Sequence, residues 1–116
     1  MHSPARILVV EDDPLLRLVI CEVLRDGYLE VVEVANADAT LHYLKTKDSI
    51  DLIFTDVNMP GSMDALELAH AVNENFPEIK VVVNSGNTSA SPTAPNPFIP
   101  KPYVVYDVLE KIKASL

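Results

Sequence analysis

At 116 residues the chain has the length of one domain, and 48% hydrophobic with 22% charged residues suits a globular core. A net charge of −8 disfavours nucleic acid, whose phosphates call for Lys/Arg patches, and no apolar stretch approaches the ~18 residues of a membrane span. Cys21 is the single cysteine, so no internal disulfide forms, and with no signal-peptide layout in Met1-His2-Ser3-Pro4-Ala5-Arg6 the expected location is cytoplasmic.

In chain order, short apolar runs alternate with helical periods, the pattern of an α/β protein with a parallel sheet covered on both faces. Strands are predicted at Arg6–Val10, Glu30–Val34, 52–55, 80–83 and 98–99; their runs are nearly continuous, as doubly covered strands require. The first helix opens with Asp13 as cap and Pro14 at its first position. It ends near Asp26-Gly27, where the glycine is expected in the left-handed conformation. A second helix follows Asn36, a third covers about 64–75 and stops before Phe76-Pro77, and a last runs from about 104 to 114. Between Ser85 and Phe98 the alternation skips a helix. Residues 86–97 carry three prolines and no apolar period, so a Pro/Ser-rich loop is expected there. No repeat or second domain is visible, and residues 1–116 read as a single domain.

The chemistry-bearing residues gather where strands end. The first run stops at Glu11-Asp12-Asp13, the apolar run Leu52-Ile53-Phe54 ends in Thr55-Asp56, the fourth run leads into Asn84-Ser85-Gly86, and the fifth is followed by Lys101-Pro102. In an open parallel sheet ligands bind at the carboxyl ends of strands. Acids crowded there repel one another unless a hard cation sits among them. An oxygen site of Mg²⁺ type with a hydroxyl and an ammonium beside it suits a phosphoryl group. Taken singly, each part has a blander reading: an acidic turn in water, a helix cap at Asp13, a turn serine, an exposed lysine. His2, His42 and His70 have no metal-like spacing and read as surface or partly buried residues.

As a set, Ile7 to Asp13, Thr55-Asp56-Val57-Asn58-Met59-Pro60, Ser85-Gly86 and Lys101-Pro102 resemble the receiver domain of two-component response regulators over nearly the whole chain. The strings Met59 to Asp64 and Phe98 to Tyr103 are similar, more narrowly, to single-domain receivers of alphaproteobacteria associated with HWE-type histidine kinases. The resemblance implies a doubly wound, five-stranded, flavodoxin-like sheet of order 2-1-3-4-5, here with its fourth helix replaced by the loop. It implies a phosphoprotein rather than an enzyme with a separate substrate, catalysing only its own phosphorylation and dephosphorylation. Asp56 matches the phosphoacceptor. Glu11 and Asp12, with Asp56 and the backbone carbonyl of Asn58, match the Mg²⁺ ligands. Lys101 matches the lysine that pairs with phosphoryl oxygens, Ser85 the switch hydroxyl, and Phe98 the aromatic switch position, where plain core is the other reading.

Implied partners are a histidine kinase or histidine phosphotransfer protein, with no nucleic acid, no membrane and a monomer or weak dimer. With no output domain seen, action through protein contacts in a phosphorelay follows; the alternative is a phosphorylation-independent interaction module of the same fold. Three departures stand out. Ala65 replaces the usual glycine after Asp64, Pro100 precedes Lys101 and suits only an edge strand, and the lost helix removes part of the family's usual output face. On the first helix Leu15, Leu18 and Val19 spread beyond one buried stripe, leaving either a partner surface or residues covered by a neighbour. A flavin-binding reading lacks a Ser/Thr/Gly phosphate loop after the first strand. A haloacid-dehalogenase-type reading lacks an Asp-x-Asp pair.

Overall fold

A computed structural model describes residues 4–46, 49–56, 65–85, 98–100 and 105–116. Five strands, β1 (Arg6–Val10), β2 (Glu30–Val34), β3 (Leu52–Asp56), β4 (Lys80–Ser85) and β5 (Phe98–Pro100), form one sheet of order β2-β1-β3-β4-β5, every pair parallel. The helices are α1 (Pro14–Asp26), α2 (Ala37–Leu44), α3 (Ala65–Asn75) and α4 (Val105–Ser115). This is the α/β, flavodoxin-like order that the resemblance implied. The expected replacement of a helix falls on residues 86–97, outside the described residues.

Alternation along β1 divides the core. Ile7 and Val9 join Ile20, Cys21 and Leu24 of α1 and Val108 and Ile112 of α4 on one face of the sheet. Leu8 and Val10 join Ala37 and Leu44 of α2 and Leu68, Ala69 and Val72 of α3 on the other. Successive strand residues point to opposite faces, so a strand with no polar position inside it must have helices on both sides. β5 is an edge strand, which accommodates Pro100 at its last position, opposite Ser85.

The cap expected at Asp13 forms, and Asn36 caps α2 as well. Asp13 Oδ1 accepts from the Leu15 and Leu16 amides at 3.0 and 3.3 Å, and Asn36 Oδ1 from the Ala39 amide at 2.7 Å. The C-terminus of α1 differs from expectation. Gly27 has φ −85°, and the left-handed residue is Tyr28, φ 67°. The Leu29 amide bonds the Leu24 carbonyl at 3.2 Å and the Tyr28 amide bonds the Arg25 carbonyl at 3.0 Å, so a Schellman turn closes one residue later. The glycine serves packing instead. A Cβ there would stand 2.7 Å from Leu109 Cδ1, so the bare Gly27 leaves room for the Leu109 side chain of α4 against the end of α1.

Candidate functional site

The register gathers the carboxyl ends of the strands. Val10 pairs with Thr55 and Thr55 with Val83; one step on, Asp56 pairs with Asn84; a further step on, Ser85 pairs with Pro100. Glu11 directly follows Val10, so its backbone lies level with Asp56. With strands about 4.8 Å apart, Glu11, Asp56, Asn84, Ser85 and Pro100 form one short row of backbone along the carboxyl edge. Phe98 opens β5, opposite Val83. Asn58 and Lys101 lie outside the described residues.

The acidic turn after β1 is tightly held. Glu11 is only 3% exposed, and its Oε2 accepts from the Asp13 amide at 3.2 Å. The Glu11 amide donates to the Val34 carbonyl at 3.2 Å, continuing the β1–β2 ladder one residue past the strand. The Glu11 carbonyl accepts from Arg17 Nη1 at 2.8 Å. Asp12 faces solvent. Asp13 is spent on capping α1, as its position before Pro14 suggested.

A buried carboxylate beside further acids needs partners for its charge. The donor set at this edge is all oxygen: the carboxylates of Glu11 and Asp12, with Asp56 on the neighbouring strand. His42 and His70 are exposed on other helices, and His70 Nε2 is 3.0 Å from Glu74 Oε1. Oxygen donors without nitrogen or sulfur fit a hard cation such as Mg²⁺ rather than zinc. Among the described side chains no three His, Cys, Asp or Glu residues converge on a metal position; the third acid of the row is Asp56, placed here by its backbone.

Cys21 takes no part in this chemistry. It is fully buried, and burial foremost, with the nearby Glu33 carboxylate, pushes its thiol up to about 11 against the opposing pull of Arg25 and Arg17. A thiol held protonated is a poor nucleophile. Sequence reading passed over Arg17 and Glu33, which link the acidic turn to β2. Their link spans sixteen positions, and no local spacing announces it.

On the outer face of α1, Leu15, Leu18 and Val19 are 69%, 47% and 41% exposed. The described neighbours leave these three apolar side chains facing water, beside the acidic turn at the start of the helix. Among the described residues no helix is long and apolar enough to cross a membrane.

Comparison with known proteins agrees with this geometry. The family model of the response regulator receiver domain matches residues 7–112. The chain is 40% identical over 82 residues to the glycerol metabolism activator of Pseudomonas putida, covering 69% of this chain and 37% of that protein. Among solved structures, response regulator TrrA from Thermotoga maritima, in complex with Mg²⁺ and BeF, superposes with a TM-score of 0.85 at 25% identity, covering 97% of this chain and 99% of the other. A CheY-like receiver domain protein from Methanospirillum hungatei gives 0.85 at 28%, covering 97% and 93%. The chain spans between 16% and 50% of the length of the first curated relatives it matches. With the matched model covering both core layers and the acidic edge, the chain belongs to the response regulator receiver domain family.

Proposed function

We propose that this receiver domain accepts a phosphoryl group from a histidine kinase or histidine phosphotransfer protein onto Asp56. The observation that carries the reading is the register placing Asp56, last residue of β3, beside Glu11 at the carboxyl edge of the sheet. In the reaction a carboxylate oxygen of Asp56 forms a bond to phosphorus as the phosphorus–nitrogen bond of phosphohistidine breaks, and the imidazole recovers a proton. Glu11, Asp12, Asp56 and the Asn58 carbonyl would hold Mg²⁺, which when bound offsets charge on the transferring oxygens. Lys101 pairs its ammonium with the phosphoryl oxygens, and the Ser85 hydroxyl bonds one of them afterwards. Phe98 is proposed as the aromatic that follows the serine.

The Mg²⁺–BeF complex of TrrA supports the same use of the edge here. Leu15, Leu18 and Val19 are proposed as the surface that meets the phosphodonor, since their exposure adjoins the acidic turn. The likeness to receivers associated with HWE-type kinases makes that kinase class the first to try. Phosphotransfer profiling against histidine kinases tests the proposal: rapid labelling of the wild type and none of Asp56→Asn is the expected result. Partner binding that is indifferent to phosphorylation, with no labelling by any donor, would support a phosphorylation-independent module instead.

A further inference from the structure

The acidic turn is clamped by a residue outside it. Arg17 sits on the second turn of α1. Its own amide donates to the Asp13 carbonyl at 2.9 Å, and its Nη1 donates to the Glu11 carbonyl at 2.8 Å. Its Nε lies 3.5 Å from Glu33 Oε1 on β2. The other oxygen of Glu33, Oε2, pairs separately with Arg25 Nη2 at 3.1 Å. The guanidinium therefore cannot swing freely, because Glu33 holds one side while the other holds the turn.

What it holds bears on the acids. The Glu11 carbonyl and the Asp12 amide share one rigid peptide plane. Fixing that carbonyl fixes the direction in which the chain leaves Glu11, and with it the origin of the Asp12 side chain. The Val34 carbonyl holds the Glu11 amide from the other side at 3.2 Å. Without the Arg17 contact the peptide could rotate, and the two carboxylates would no longer present a fixed pair of oxygens.

We infer that Arg17 is a positioning residue for the cation site: tethered to Glu33, it orients the peptide that carries Glu11 and Asp12 so that both carboxylates address one divalent ion. The inference rests on the reading of this edge as a Mg²⁺ site. Arg17 bonds a backbone carbonyl here, so the contact leaves its positive charge close to the acids without occupying Glu11 Oε2, which accepts from the Asp13 amide. That produces a test by sign. On charge alone, removing a cation beside an acidic site strengthens binding of another cation. Loss of positioning weakens it, by about tenfold for an outer-shell partner of this kind.

Arg25 supplies the control. It pairs with the same glutamate and also donates from Nη2 to the Val31 carbonyl at 3.4 Å, so it braces α1 against β2 without touching Glu11. The experiment is an NMR titration of ¹⁵N-labelled protein with MgCl₂ alone, in wild type, Arg17→Met and Arg25→Met, with amide exchange of residues 11–13 measured before metal is added. Weaker Mg²⁺ binding by about tenfold and faster exchange at Asp12 and Asp13 in Arg17→Met, with Arg25→Met like the wild type, is the expected result. Unchanged or tighter binding in Arg17→Met, or equal weakening in both variants, overturns the inference. Should Arg17→Met fail to fold, Arg17→Lys keeps the charge but loses the two-sided fork. It is expected to bind more weakly than wild type, and wild-type affinity there overturns the inference too. A wild type that binds no Mg²⁺ defeats the cation-site reading itself, which is a separate outcome.

Discussion

The two ends of the sheet are built on opposite electrostatic plans. At the amino edge, opposite charges and backbone groups close on one another. The Arg6 amide donates to Asp51 Oδ2 at 2.8 Å, Arg6 Nε lies 3.1 Å from Glu30 Oε2, and the Asp51 amide and carbonyl bond Arg6 and Lys80. At the carboxyl edge, three consecutive acids follow β1 and a fourth ends β3. Arg17, the cation bonded to that turn, spends its Nη1 on a carbonyl. One end is self-sufficient and contributes to stability. The other concentrates negative charge, which under the proposed function a cation and a phosphoryl group would complete, so that stability there would be traded for function.

That contrast predicts opposite consequences for removing one carboxylate from each end. Asp12→Ala should abolish Mg²⁺-dependent labelling by acetyl phosphate while leaving the metal-free fold as stable as wild type or more so, because a repelling neighbour is gone. Mass spectrometry and urea denaturation measure the two effects on one sample. Asp51→Ala should do the reverse. It removes the acceptor of the Arg6 amide and costs about 1–2 kcal/mol, with labelling at Asp56 unchanged. Loss of labelling in Asp51→Ala, or a destabilised but active Asp12→Ala, would break the division between the two ends.

Much of this arrangement is readable from the chain, for identifiable reasons. Asp13-Pro14 announces the start of α1 because both residues act on groups within three positions. The continuous run Ile7 to Val10 announces a central strand because no alternation survives when both faces are covered. Strand ends are less legible: β3 reaches Asp56 and β4 reaches Ser85, each two residues past its apolar run. Loss of apolar character does not mark the end, since Thr55 is polar yet fully buried and the ladder continues through backbone. Gly27 misleads more thoroughly. Its lack of a side chain leaves room for Leu109, eighty-two positions away, and the left-handed turn passes to a tyrosine that no propensity favours. For the same reason the Arg17–Glu33 link was invisible, being a product of tertiary approach.

Two smaller substitutions sharpen the comparison by probing α1 at each end. Asp13→Ala removes the cap at the functional end and should cost about 1 kcal/mol, while labelling persists at saturating Mg²⁺; this separates the third acid of the turn from the two assigned to the cation. Tyr28→Gly relieves the left-handed residue at the far end. Tyr28 is 87% exposed and has little packing to lose, so the variant should gain about 0.5–1 kcal/mol, read as a shifted urea midpoint with unchanged labelling.

The central claim is that the carboxyl edge exists to phosphorylate Asp56, and intact-mass spectrometry after incubation with acetyl phosphate and Mg²⁺ tests it most directly. The account predicts one added phosphoryl group on the wild type, none without Mg²⁺, and none on Asp56→Asn. Equal labelling of Asp56→Asn, or a wild type that stays unmodified with every donor tried, would contradict it.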